Sequence, residues 1–160
     1  MKQLSLEGLN FSTTEVNIKD KVMTITLDRP EKKNAMNNVM MNEINYLLAY
    51  AKQEKDIRVV VFAANGDVFC AGADLSRTES KSNVPRLENS DDISLSLRHL
   101  YKPVICKIQG PVLAGALLIV SNATHAIAVD EATFSAPEIH RGLWPFMVMA
   151  GLFRVMPKRA

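Results

Sequence analysis

Two stretches of this chain can do chemistry with backbone rather than with side chains. One is Gly66-Asp-Val-Phe-Cys-Ala-Gly-Ala-Asp-Leu75, in which Cys70 to Ala73 all carry small side chains. The other is Gln109-Gly-Pro-Val-Leu-Ala-Gly-Ala116. Small residues let a ligand approach the main chain, so that N–H groups become binding donors. The first stretch follows an apolar run at 59–63 and an Asn65-Gly66 turn signal; the second follows the strand-like run 104–108. Two such segments, each just after a strand, can aim N–H groups at one oxygen. Donors fixed where negative charge develops are worth about 3 kcal/mol each. Two readings stay open on composition alone. Gly72 and Gly115 serve tight turns and close helix–sheet packing, or the N–H groups of Ala73 and Gly115 form an oxyanion hole. In the second reading Gly115 starts an apolar helix, whose first N–H groups lack partners and lie at the positive end of its dipole.

The other chemistry-bearing residues read more plainly. Glu138 by itself is a helix-start or surface carboxylate, and Asp74 caps the segment that follows it. Lys32 and Lys33, beside Arg29, form a solvated basic loop. His99, His125 and His140 show no ligand spacing, and no metal site is expected. Cys70 and Cys106 read as small buried hydrophobes, with no disulfide framework. A chain of 160 residues is one domain by size, and 48% hydrophobic with 22% charged residues is ordinary globular composition. A formal charge of +2 gives no general pull toward nucleic acid or membrane. The longest apolar run is too short to span a bilayer, and the N-terminus lacks the signal-peptide pattern. A soluble protein of a reducing cytoplasm is the expectation.

The elements that must position these residues follow from periodicity. Residues 1–14 show none and are expected to be partly mobile. Alternation over 15–27, with a turn near Lys19-Asp20-Lys21, predicts an antiparallel strand pair. Asn34 or Asn37 caps a helix whose stripe is Met36, Val39, Met40, Ile44, Leu47, Leu48 and Ala51. The run 59–63 suits a parallel strand covered on both faces. Polar residues 76–90 predict a long mobile loop of the kind used as a lid. Ser90 or Asp91 caps a further helix reaching Tyr101, 104–108 is a strand, and 115–123 a largely buried helix. Short strands follow at 126–129 and 132–134, and 144–155 is a buried helix with Pro145 in its first turn. Strand–helix alternation means an α/β fold with right-handed crossovers. Pattern alone leaves open a doubly wound sheet or a spiral of stacked turns.

Taken in order, several motifs go further. Arg29-Pro30 with Asn34-Ala35-Met36, Phe69-Cys-Ala-Gly-Ala-Asp-Leu75, Lys102-Pro-Val-Ile105, Gly110-Pro111 with Leu113-Ala-Gly-Ala116, and Phe134-Ser-Ala-Pro-Glu138 resemble the enoyl-CoA hydratase/isomerase (crotonase) family. The resemblance runs from about Val16 to the end, and its motifs are specific in combination. It implies a crotonase-like spiral of stacked β-β-α turns over residues 1–160, and an acyl-CoA thioester as substrate. It implies that Ala73 and Gly115 hold the thioester oxygen with their N–H groups. It places Lys32, Lys33, Ala35, Ala71, Ala73, Asp74 and Leu75 against the CoA ester. Coenzyme A enters as part of the substrate, and no permanently bound cofactor is implied.

Two departures from the family pattern matter. Hydratases of the family use a glutamate three residues after the hole glycine and a second one in a later Pro-Glu. Here the first position is Leu118, and only Glu138 remains. A single carboxylate resembles the family's double-bond isomerases, with Glu138 as the acid/base. An apolar surround of Leu118, Leu143 and Trp144 would raise its pKa. Relatives also continue past the equivalent of Ala160 with a helical segment that closes the acyl pocket and builds trimers. Without that segment, exposed apolar surface should favour a homo-oligomer, trimer or hexamer. The two functional expectations are an isomerase-like or hydratase-like enzyme, and a catalytically silent acyl-CoA-binding or assembly module of the same fold.

Overall fold

Asp20 and Lys21 both take left-handed backbone angles, φ 51° and 65°. Positive φ at both central residues is what a two-residue hairpin turn of matching twist requires. They join β1 (Thr14–Lys19) to β2 (Val22–Leu27) in an antiparallel pair. In the computed structural model, which describes residues 3–76, 82–87 and 92–157, this hairpin starts a five-stranded sheet. Its order is β1-β2-β3-β4-β6, with β3 at Val59–Ala64, β4 at Val104–Ile108 and β6 at His125–Ala128. Every neighbour after the hairpin is parallel, so each crossover must carry a helix.

The crossovers share one plan. After each parallel strand of the large sheet the chain makes a second, short extended contact and only then turns into a helix. Met36 bridges Ala73, Cys70 bridges Val112, and β5 (Val112–Leu113) pairs with β7 (Phe134–Ser135), all parallel. The short contacts therefore stack as a second small sheet, and the helices α1 (Asn38–Gln53), α2 (Ile93–Arg98), α3 (Leu117–Asn122) and α4 (Phe146–Leu152) follow in register. This is the spiral of β-β-α turns. Its core is Met23, Ile25, Val60, Phe62, Cys106 and Ile108 from the large sheet, packed against Met40, Ile44, Leu47 and Leu48 of α1.

Several expectations need correction. Asn37 caps α1 by accepting from the Met40 N–H at 2.9 Å; Asn34 is not a cap. Asp92 caps α2, whereas Ser90 and Asp91 lie outside the described residues. The segment before β1 is tied down, because the buried Glu43 carboxylate accepts from the N–H and hydroxyl of Ser12 and of Thr13 and from the Thr14 hydroxyl. The expected loop over 76–90 falls partly on 77–81 and 88–90, outside the described residues. Within 82–87, Val84 is buried and its carbonyl accepts from Asn42 Nδ2 at 2.8 Å. The buried C-terminal helix is not found. In α4 only Val148 and Gly151 are buried, while Phe146 and Met147 are exposed. A run without polar residues shows no preferred face, so composition could not distinguish a buried helix from a half-covered one. Strand β6 is likewise exposed along its length.

Candidate active site

The site forms where the small-sheet strands end. The segment 33–36 lies beside 71–74 as a short parallel ladder: Ala71 N–H donates to Lys33 O (3.0 Å), Met36 N–H to Gly72 O (2.8 Å), and Asp74 N–H to Met36 O (2.9 Å). On its other side the same strand accepts the Leu113 N–H at Cys70 O, 2.9 Å. Continuing the Cys70–Val112 register sets Ala73 opposite Gly115, and the geometry agrees. A β-carbon built on Gly115 would lie 3.8 Å from the Ala73 nitrogen. One built on Gly72 would lie 3.0 Å from the Gly115 nitrogen, 2.9 Å from Leu113 O and 2.7 Å from Ala114 Cβ. Gly72 is therefore required twice, by this contact and by its φ of 87°.

Among the described residues no backbone acceptor takes the N–H of Ala73 or of Gly115. In the ladder Met36 bonds the residues on either side of Ala73, which turns the Ala73 N–H away from Met36. Gly115 lies in the tight turn Ala114–Ala116 that leads into α3, where the first N–H groups have no partner within the helix. Ala114 holds φ at 53°, a left-handed angle that costs a non-glycine residue about 1–2 kcal/mol. Two free donors side by side can stabilise one developing oxyanion.

The remaining expected residues are placed as follows. Glu138 lies in the tight turn Pro137–Arg141 that follows β7, one spiral turn beyond Gly115. Its Oε2 is enclosed and has no hydrogen-bond partner. Leu143 and Trp144, expected to surround it, are 52% and 57% exposed, just past the left-handed Gly142 that ends the 137–141 turn. Leu118 lies in the first turn of α3 and packs toward α4 at Gly151. It offers no proton. Lys32 and Lys33 are exposed at the open start of the 33–36 ladder. Ala35 and Ala71 are half-buried inside it, and Leu75 is 64% exposed. Asp74 does cap, accepting the Ser76 N–H at 2.9 Å. It also pairs with Arg29, Nη1 to Oδ2 3.0 Å. Ser76 and then Arg29 draw its carboxyl down to about 2 from 3.8.

Two residues carry more of this architecture than sequence reasoning assigned to them. Arg29, taken with the basic loop, is turned inward. Asn34 is fully buried: its Oδ1 accepts the Arg29 N–H at 2.8 Å, and its Nδ2 donates to Asn65 O and Val68 O, each at 2.8 Å. The one available signal was a polar residue beside the small-residue ladder, which pattern alone assigns to a cap. Cys70 and Cys106 are buried, as expected, and burial pushes their thiols up to about 11 and about 12. Among the described residues no group of three His, Cys, Asp or Glu can hold a metal ion, and no helix is long and apolar enough to cross a membrane.

A spiral of β-β-α turns defines a fold class, and the comparisons agree with that fold. The chain belongs to the enoyl-CoA hydratase/isomerase family, whose profile matches residues 17–160. A probable enoyl-CoA hydratase of Mycobacterium bovis is 34% identical over 135 residues, covering 76% of this chain and 46% of that protein. A trans-2-decenoyl-acyl-carrier-protein isomerase of Streptococcus mutans is 32% identical over 144 residues, covering 86% of this chain and 55% of that protein. The crystal structure of an enoyl-CoA hydratase/isomerase from Mycobacterium paratuberculosis superposes with a TM-score of 0.82 at 25% identity, over 94% of this chain and 60% of that one. The chain thus spans about half the length of the curated relatives it matches.

Proposed function

We propose that this chain acts on an enoyl thioester of coenzyme A and moves its double bond, with Ala73 and Gly115 as oxyanion donors and Glu138 as the single acid/base. The observation that carries the reading is the pair of adjacent N–H groups with no backbone acceptor, held by the ladder on one side and the left-handed Ala114 on the other. Glu138 would take a proton from one carbon of the acyl chain, leaving the electron pair delocalised onto the thioester oxygen as an enolate. It would then return the proton at another carbon, so that no atom is gained or lost. The two donors stabilise the enolate more than the neutral thioester, which is what lowers a barrier. Leu118 supports isomerisation over hydration, since hydration by the paired-carboxylate route needs a second proton carrier. Coenzyme A would enter with the substrate and lie along 32–35 and 71–75, with Lys32 and Lys33 toward its phosphates. No resident cofactor is part of this reading.

Incubation with 2-enoyl-CoA and 3-enoyl-CoA tests it. The expected result is interconversion, reduced by about 10²-fold or more in Glu138→Gln. Binding of both thioesters with no turnover would replace the enzyme by an acyl-CoA-binding or assembly module, a reading that Leu118 also supports. Failure to bind either would end both. The exposed apolar side chains Ile127, Phe134, Phe146 and Phe153 support self-association as a trimer or hexamer, read by light scattering. The two buried free thiols suit a cytoplasmic setting.

A further inference from the structure

The Ala73 N–H does not stand alone: it ends a hydrogen-bonded run that begins at a cation. Arg29 Nη1 donates to the Ala35 carbonyl. That carbonyl shares its planar peptide with the Met36 N–H, which points the opposite way. The Met36 N–H donates to Gly72 O at 2.8 Å, and Gly72 O in turn shares its peptide with the Ala73 N–H. Both hydrogen bonds run in the same donor direction, so the two peptide dipoles align head to tail between the guanidinium and the proposed oxyanion. Hydrogen bonds in such a series polarise one another. The same bonds resist rotation of the Gly72–Ala73 peptide, which would otherwise be free to flip beside a glycine of φ 87°.

The head of the run is itself locked. The Arg29 side chain is 14% exposed, and its ion-pair partner Asp74 is 12% exposed. The backbone of Arg29 is closed into a loop with Asn34: its N–H donates to Asn34 Oδ1 at 2.8 Å, and its carbonyl accepts the Asn34 N–H at 2.9 Å. Asp74 follows Ala73 directly, so the ion pair joins the cation to the same segment whose donor it faces through the peptides.

We infer that Arg29, held by Asp74, is a positioning residue that orients and polarises the Ala73 donor through the Ala35–Met36 and Gly72–Ala73 peptides. This rests on the oxyanion-hole reading and adds to it a residue that touches no substrate. The full chain is tested as wild type, Arg29→Met, Arg29→Lys and Asp74→Asn. The probe is butyryl-CoA labelled with ¹³C at its carbonyl, a saturated thioester with no double bond to move, read by difference infrared spectroscopy alongside turnover of 3-enoyl-CoA. The expected wild-type signature is a carbonyl stretch shifted to lower frequency on binding. Arg29→Met should halve that shift and lower kcat about tenfold with KM changed less than twofold, short of the 10²–10³ lost with a whole donor. Arg29→Lys, which keeps a charged donor for Ala35 O, should recover most of both. Asp74→Asn should move both in the same direction by less, and carries the test if Arg29→Met does not fold. An unchanged carbonyl shift in Arg29→Met, or a loss confined to KM, overturns the inference and leaves the hole standing. A wild type that binds butyryl-CoA without any shift overturns the hole itself, and this inference with it.

Discussion

Replacing Gly72 by alanine separates the packing role of this position from its backbone role. The added β-carbon would meet Ala114 Cβ at 2.7 Å, Leu113 O at 2.9 Å and the Gly115 nitrogen at 3.0 Å. Two of those atoms are backbone, so no side-chain rotation relieves the contact. The left-handed φ costs alanine about 1–2 kcal/mol, and overpacking adds about 1–3 kcal/mol. The expected loss is about 2–5 kcal/mol, out of a total domain stability of about 5–15 kcal/mol. In urea, with a slope of about 2 kcal/mol per M, the middle of that expected loss lowers the midpoint by about 2 M. Gly8 and Gly142 provide the control: their φ values are 73° and 69°, and a β-carbon on either meets nothing within 4 Å. Gly8→Ala and Gly142→Ala should lose only the backbone part, about 1–2 kcal/mol each. Because the Gly115 nitrogen is among the crowded atoms, folded Gly72→Ala should, on the proposed function, also lose turnover by about 10²-fold. A Gly72→Ala midpoint equal to that of Gly8→Ala, with turnover intact, would refute the close approach of the two strands.

Further outcomes follow from the same structure. Glu43→Leu leaves the Ser12, Thr13 and Thr14 donors without their shared acceptor and should cost about 3 kcal/mol; limited proteolysis should then cut before Thr14 well below the unfolding midpoint. The folded Asp74 carboxyl lies near 2 against an ordinary 3.8, so its contribution is complete above the ordinary value and disappears as pH falls toward 2. Acid unfolding of Asp74→Asn should lack that part of the pH dependence between about 4 and 2. Both thiols are held in the neutral form, Cys70 to about 11 and Cys106 to about 12. At pH 8 neither should react with an aromatic disulfide reagent until the chain unfolds, when both should. As pH rises past the ordinary thiol value of 9.0, the unfolded chain releases protons that the folded chain retains, so stability should decline there.

Local pattern was sufficient wherever a single element decides the outcome. The hairpin at Asp20–Lys21, the α1 stripe from Val39 to Ala51 and the strands at Val59 and Val104 were each legible in a window of a few residues, whereas Met36, expected on that stripe, precedes the helix and bridges Ala73 instead. The motif order from Arg29 to Glu138 was enough for the family, and the small side chains around Ala73 and Gly115 marked where backbone could be exposed. Tertiary structure decided what those positions do to one another. The ladder from Met36 to Ala73, the strand at Val112–Leu113 and the Arg29–Asp74 pair join residues far apart in sequence, through contacts too short to leave a periodic trace. The burial of Asn34 and the exposure of Trp144 and Phe146 follow from which neighbour the fold supplies to each side chain. A residue's type states which interactions it can make. Only the path of the chain determines which of them are made, and here it turned Arg29 of a basic loop inward onto the Ala35 carbonyl and Asp74.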